Sequence, residues 1–444
     1  MGYINDIDTA DGTMRRPFSI IVGGSIAGLM AAIVLQRASH DVLILERLPR
    51  GSFKDQGAGM GMRPEVVDFL SACNVDQNNL HLLFGAPNFT VVESDGSIVA
   101  EFPLPARTTT TTWRELTRLL KEAFLTEAKA AGRNEDDVYK FGQLVTAISQ
   151  NADGRLSLTY QSSTSHASDA ESHQITDVDF VIAADGANST VRNLMYQHLR
   201  QPEPSHEPAG YICYRGMLPK SDASPEIQDL YSKAAVVQSG PSYSTISYLV
   251  PARASSKDDV DISFIAYRRL SEGKLQLLMT DKTGKRRRNV VAAADLSSEA
   301  DAFIRADVCS YAAPQISALA KGADEVMVQV ISSLSVPQRA FLNGKVLLIG
   351  DAGGVARPHV FAGTSKSAFD ALKLRDLVEG VIDVEKWERD VVAYATAVID
   401  ASNEIGDILL QTGEEKGLAR FGKQNAVLGR MGAVCGRLRQ EVQR

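Results

Sequence analysis

The chain has 444 residues, room for about two or three domains, and 44% of them are hydrophobic, enough to bury a sizeable core. A net charge of -7 argues against a nucleic-acid partner, which demands a basic face. The four cysteines, Cys73, Cys213, Cys309 and Cys435, lack C-x-x-C spacing, which argues against a zinc site and a disulfide framework and suits a reducing, cytoplasmic setting.

Residues 1–16 carry Asp6, Asp8 and Asp11 and no apolar core, so they are expected to be a disordered lead-in and no signal peptide. No apolar run reaches the ~18 residues that a membrane span needs. Phe18 to Val22 is a short β-branched apolar run, the pattern of a strand buried on both faces. The turn Gly23-Gly-Ser-Ile-Ala-Gly28 follows, and Ile26, Leu29, Met30 and Ile33 form a helical stripe. Strand, glycine turn and helix start together make an anion site, since unpaired N–H groups and the helix dipole converge there. A second strand over 41–45 ends in Glu46, where a carboxylate accepts hydrogen bonds from an adenosine ribose. Ser25 stands where the dinucleotide fingerprint has its second glycine, and a plain packing turn is the alternative.

Residues 47–63 are polar and carry alternating Gly57, Gly59 and Gly61, a backbone that can approach a flat ligand or simply flex. Pro64 opens a short helix with Val66, Val67, Phe69 and Leu70. A hairpin is predicted over 88–102 around Asp95-Gly96, and a helix over 114–129. Strands follow at 143–149 and 156–160, a serine-rich exposed loop at 161–173, and a buried strand at 180–184 that runs into Asp185-Gly186. Residues 210–336 alternate like antiparallel sheet, as at Ile262, Phe264 and Ala266, with helix near 299–320. Lys282 and Lys285 to Arg288 form a basic cluster that fits a solvated loop better than a nucleotide phosphate contact. The Rossmann-like pattern resumes with a strand at 345–349, Gly350-Asp351 and a helix over 364–381, and the tail from Trp387 is helical in pattern. The implied domains are a discontinuous nucleotide-binding one (17–87, 107–200, 337–400), an inserted sheet domain (88–106, 201–336) and a helical segment (401–444). Acidic residues or glycine amides stand past strand ends in three distant segments. One elongated ligand along them would be longer than NAD, and FAD fits.

Those three segments resemble the FAD-dependent aromatic hydroxylases of the p-hydroxybenzoate hydroxylase type. Val181-Ile-Ala-Ala-Asp-Gly-Ala-Asn-Ser-Thr-Val-Arg192 is similar to the family's Asp-Gly motif, and Val346-Leu-Leu-Ile-Gly-Asp-Ala352 to its Gly-Asp motif. The glycine turn, Gly210-Tyr211 with Tyr214-Arg-Gly216, and Arg357-Pro-His-Val-Phe-Ala-Gly363 resemble most the 2,6-dihydroxypyridine 3-hydroxylase subgroup, which also has serine at the Ser25 position. The resemblance implies an α/β fold: a Rossmann-like FAD-binding domain, an inserted, mainly antiparallel β-sheet substrate domain, and C-terminal helices. It implies that Gly23, Gly24, Ser25, Ala27 and Gly28 hold the pyrophosphate and Glu46, with Arg47 beside it, the ribose. Asp351, next to Gly350, would bind a ribityl hydroxyl or pyrophosphate, and Asp185, next to Gly186, would serve the flavin chain and reductant binding. N-capping is the alternative for both aspartates. Gly59, Met60, Pro358, Gly363 and Thr364 would border the flavin, the last two opening a helix whose positive end faces the reduced ring. Trp113 stands where many relatives have arginine, and the roles of Trp113 and Arg114 stay open between packing on the flavin and contacting it.

The implied chemistry uses NADH or NADPH to reduce FAD, and O2 to form a flavin C4a-hydroperoxide that hydroxylates a small electron-rich aromatic or heteroaromatic substrate. His359 is the candidate base, with a packing histidine as the equal alternative. Tyr211, Tyr214 and Tyr248, on strands of the sheet domain, and Phe361 are the candidate substrate contacts, with Tyr211 also catalytic; strand tyrosines more often just pack. Cys213 reads as buried filler. A flavin halogenase is excluded because Trp113 and Trp387 are the only tryptophans and no W-x-W-x-I motif exists. A flavin epoxidase and a non-catalytic FAD-binding redox sensor stay open. A monomer or homodimer is expected.

Overall fold

The computed structural model describes residues 7–8, 14–52, 59–77, 83–84, 88–103, 109–164, 171–252, 259–413 and 417–440. Its first layer is a six-stranded sheet in the order Tyr139–Phe141, Asp41–Glu46, Phe18–Val22, Phe180–Ala183, Val346–Leu348, Ala340–Phe341. The first five strands run parallel, and the last returns antiparallel. Alternation along these apolar runs supplies two faces. Ile21, Ile44 and Ile182 pack against the helix Ile26–Arg37, while Ile20, Leu43, Leu45 and Val181 meet Val145, Leu156 and Leu158 of a separate three-stranded sheet. A sheet covered on both sides needs apolar residues at every position, which is why these strands show no polar alternation.

The second layer is a nine-stranded sheet built from Asn88–Val92, Ile98–Pro103, Glu207–Pro219, Ala234–Gly240, Tyr243–Pro251, Val260–Arg268, Val290–Val291, Val326–Ser335 and Gly354–Val355. Its outer face carries Ile212, Tyr214, Ile262 and Phe264 under the helices Ser298–Cys309 and Pro314–Gly322. Its inner face carries Tyr211, Cys213, Met217, Tyr248, Ile265 and Tyr267, which share a core with Val360 and with the helices of the first layer.

The helix Gly363–Val378 packs beside Ile26–Arg37, and Val384–Leu409 crosses it with Phe369 and Tyr394 stacked at 4.2 Å. The last helix, Gly417–Gln440, lies along Val384–Leu409. It is fastened by Arg420, whose buried guanidinium donates to the carbonyls of Gly240, Leu409, Gln411 and Gly413.

Two expectations need correction. The 47–63 stretch is not loop throughout: Gly59–Met62 is a strand paired with the wholly buried strand Thr109–Thr112, a non-local pairing that the local pattern does not announce. Part of the lead-in is held in place. Ile7–Asp8 pairs with Met14–Arg15, and Arg15 makes a 2.7 Å ion pair with Asp179. Most of residues 1–13, Gly57, and 165–170 of the serine-rich stretch lie outside the described residues.

Candidate active site

The parallel strands set their C-terminal ends side by side. Gly23 N–H donates to Leu45, Ala184 N–H to Val22 and Ile349 N–H to Ala183, all at 2.8–2.9 Å. The glycines are required by what touches them. Gly23 has φ +101° and a Cβ there would stand 2.4 Å from the Ala184 carbonyl oxygen; a Cβ on Gly28 would stand 1.9 Å from the oxygen of Gly23. Gly350, at φ +57°, seats against the Ala27 methyl, so the three distant segments do meet at one edge.

The helix Ile26–Arg37 starts at Ser25 with no side-chain cap and no acidic residue in its first turn, so its amides are turned outward unsatisfied. Ser25 Oγ accepts instead from Trp113 Nε1 at 3.2 Å. Buried Glu46 accepts from Gly24 N–H (2.8 Å) and Leu48 N–H (2.7 Å), one bond per oxygen, which leaves lone pairs for ribose hydroxyls. Arg47, one residue on, is exposed. Tyr139 donates to the Gly24 carbonyl at 2.7 Å. A groove of about 390 Å³ opens beside this turn, lined by Trp113, Arg114, Arg118, Lys121, Tyr139 and Phe141. Cations beside aromatic rings suit a pyrophosphate joined to a flat base. Arg118, Lys121, Tyr139 and Phe141 escaped the sequence reading, since they come from one helix face and a three-residue edge strand that meet only in space.

The Gly363–Val378 helix gives a second uncapped start. Its N-cap is Ala362, Gly363 is exposed with nothing within 4 Å of where a Cβ would lie, and Thr364 Oγ1 rests 3.3 Å from Met60 Sδ. Asp351 stands half-exposed next to it. Below lies a buried set that sequence reasoning missed: Lys366 donates to the Gly350 carbonyl, Asp370 accepts from Gly350 N–H at 2.9 Å, and Arg339 lies 3.6 Å from Asp370. The i, i+4 spacing of Lys366 and Asp370 was the available signal.

Asp185 serves a helix start. Its carboxylate accepts from Ser189 Oγ (2.5 Å), Thr190 N–H (2.7 Å) and Val191 N–H (3.1 Å), so the side chain caps the helix Thr190–His198, the capping alternative. Only its backbone borders the glycine turn, while Gly186 keeps open space and φ +82°.

At the other end, the inner face of the large sheet meets the turn Pro358–Val360. Tyr211 Oη and His359 Nε2 are 2.7 Å apart, and Tyr267 packs on the imidazole at 4.5 Å between centroids. Gly406 backs the pair; a Cβ there would sit 2.3 Å from Tyr211 Oη. Burial, helped by the Arg357 guanidinium, pulls the His359 pKa down to about 3, and burial pushes the Tyr211 phenol up. His359 is therefore held in its neutral form near pH 7, a weaker proton acceptor than its ordinary pKa would make it. Tyr248 donates to the Gly59 carbonyl at 3.0 Å and meets the Phe361 ring edge-on at 6.1 Å. Phe361 holds a left-handed φ of 52°. Tyr214 is a correction. One residue out of phase with Tyr211 and Cys213, it points to the outer face and bonds Asp307 at 3.3 Å, away from the other candidates. The basic cluster sits on a turn where Arg287 pairs with Asp281 at 2.6 Å.

The family model described as FAD binding domain matches residues 19–212, and one described as FAD binding domain-like matches 208–333. The chain is 27% identical over 376 residues to 2,6-dihydroxypyridine 3-monooxygenase of Paenarthrobacter nicotinovorans, covering 83% of this chain and 85% of that protein. The chain is an FAD-dependent monooxygenase of the hydroxylase family. The fold of this hydroxylase agrees. The structure of 2,6-dihydroxypyridine-3-hydroxylase from Arthrobacter nicotinovorans superposes with a TM-score of 0.76 at 24% identity, covering 90% of this chain and 95% of that one. Klebsiella pneumoniae HpxO complexed with FAD and uric acid gives 0.66 at 18%, covering 95% and 96%. The hydroxylase's cofactor is FAD, and the glycine cradle, two uncapped helix starts and the basic-aromatic groove fit it.

Proposed function

We propose that this enzyme uses NADH or NADPH and O2 to hydroxylate a small, electron-rich aromatic or heteroaromatic ring. The observation that carries the proposal is the meeting of the uncapped Gly363 helix start with an inner sheet face rich in aromatic side chains. FAD, when bound, supplies the electron transfer and oxygen chemistry that side chains lack. Gly23, Gly24, Ser25 and Gly28 hold its pyrophosphate, with Trp113, Arg114, Arg118 and Lys121 along the groove, and Glu46 its ribose. Asp351 takes a hydroxyl or phosphate, and the Gly363 and Thr364 amides face the flavin with Met60 and Gly59 opposite. Tyr248, Phe361, Tyr211 and Tyr267 are the side chains that would border a planar substrate, and keeping water out protects reactive oxygen from wasteful release. Tyr211 and His359 act as one neutral hydrogen-bonded unit that orients the ring. In this reading the cofactor lies on the parallel sheet and the substrate under the inserted sheet. Four free cysteines fit a cytoplasmic enzyme.

The test is direct. The purified protein is checked for bound FAD, and NADH and NADPH oxidation is followed with and without hydroxypyridines, salicylate and urate. Ring-stimulated oxidation with a product one oxygen heavier is expected. A yellow protein that no ring stimulates would reject the proposal.

A further inference from the structure

We propose that Lys366 is a positioning residue for FAD: its ammonium holds the peptide of Gly350 and so fixes the spacing of the two open helix starts that one elongated cofactor must reach at once. The proposal rests on the placement of FAD given above and adds to it a fully buried residue. Gly350 stands between those starts. On one side it seats, at φ +57°, against the methyl of Ala27 in the first turn of Ile26–Arg37. On the other, both of its backbone groups are taken by the helix Gly363–Val378: Lys366 donates to its carbonyl, and Asp370 accepts from its N–H at 2.9 Å. The two side chains stand at i and i+4, one above the other on a single helix face. Helical side chains lean towards the N-terminus, so Lys366 reaches back past the open start to the turn that carries Asp351.

The charges argue against simple core filling. Lys366, Asp370 and Arg339 are all fully buried, two cations against one anion, and Arg339 lies 3.6 Å from Asp370. The next carboxylate, Asp351, is half-exposed and 4.0 Å from the Lys366 ammonium. Lys373, on the same helix, has the commoner arrangement, with Asp390 at 2.8 Å. Burying an ammonium costs more than burying an apolar side chain of similar volume. What Lys366 gains in return is a hold on Gly350 and Asp351 together. A ligand bound at both ends tolerates little error in the spacing of its contacts, and buried side chains that lock the contacting groups keep that spacing. Removing Lys366 leaves no lone buried anion, because Asp370 keeps Arg339, so the fold should survive the change.

The experiment uses the full chain stripped of its cofactor and titrated calorimetrically with two probes, FAD and ADP. ADP reaches only the Gly23–Gly28 end, whereas FAD reaches both helix starts. Lys366→Met should bind FAD about 10- to 100-fold more weakly than wild type and ADP within about 2-fold of it. Lys366→Arg, which keeps a donor for the Gly350 carbonyl, should bind FAD more tightly than Lys366→Met. If Lys366→Met does not fold, Lys366→Met combined with Asp370→Asn replaces it, since the amide oxygen still accepts from Gly350 N–H. Lys373→Met, which removes the other buried lysine of the helix, is the control and should leave both affinities unchanged. An unchanged FAD affinity in Lys366→Met, or a loss for ADP as large as that for FAD, overturns the proposal. Ring-stimulated NAD(P)H oxidation by wild type is followed separately; its absence rejects the function proposed above and leaves this inference standing. A wild-type chain that takes up no FAD removes both.

Discussion

Tyr211, His359 and Gly406 form the most constrained set of contacts at the substrate end, and each has a measurable consequence. Burial lowers the His359 pKa to about 3 in the fold against about 6.5 when unfolded, and that of His40, with Nδ1 on Ser19 and Nε2 buried, to about 4. Above pH 6.5 both are neutral in either state and contribute no pH dependence. Below it, the unfolded chain takes up protons that the folded chain refuses. Stability should therefore fall as pH drops from 6.5 towards 4, by up to about 1.4 kcal/mol per pH unit for each histidine. Melting temperature against pH in wild type and His359→Gln measures this, and the variant should show the shallower slope. In kcat/KM profiles no ionisation near 6.5 should trace to His359. Tyr211→Phe strands the imidazole nitrogen, and we expect a loss of about 1–3 kcal/mol together with poorer coupling of NAD(P)H oxidation to product.

At the scale of single elements, three helix starts that follow the candidate cofactor motifs do different work. The helix Thr190–His198 is capped from within by Asp185 and Ser189, whereas Ile26–Arg37 and Gly363–Val378 are left open for a ligand. Asp185→Ala should thus cost about 1–2 kcal/mol in stability while FAD content stays within a few-fold of wild type. Gly23→Ala should do the reverse of a capping change: a side chain would collide with Ala184 at the turn, so the protein should purify with little FAD. Flavin absorbance per mole of folded protein distinguishes the two. Gly406→Ala belongs here as well, since the long helix Val384–Leu409 lies against the Tyr211–His359 pair only where it lacks a Cβ. A denaturation midpoint lowered by the equivalent of about 1–3 kcal/mol is the expected result.

For the whole molecule, the cofactor should act as a structural element between the layers. Saturation with FAD at 100 times its dissociation constant should add about 2.7 kcal/mol, seen as a melting temperature that rises with added FAD. The last helix buries Phe421, Val427, Met431 and Cys435 and sends Arg420 to the edge of the large sheet at Gly240. At ~1.5–3 kcal/mol for each fully buried large apolar side chain, removing it should leave an exposed apolar stripe. A chain ending at Gly413 should melt earlier and aggregate, a result that light scattering during a thermal ramp reports.

What the sequence determined by itself was the local and the contiguous. Five apolar residues, a glycine turn and a stripe of Ile26, Leu29, Met30 and Ile33 specify strand, turn and helix, because each is a pattern of neighbours along the chain. The Gly350-Asp351 and Asp185-Gly186 segments were likewise legible, and parallel strands laid side by side bring them to one edge. What only the tertiary structure decided was direction and environment. Whether Tyr214 faces the site depends on one residue of phase in a strand whose two faces are both buried, so polarity could not tell them apart. His359 became a neutral partner of Tyr211 through desolvation by residues up to 148 positions away, and Asp185 became a cap because its own downstream helix reached it first. Charge state and orientation are properties of the surroundings, and the chain acquires those surroundings only by folding.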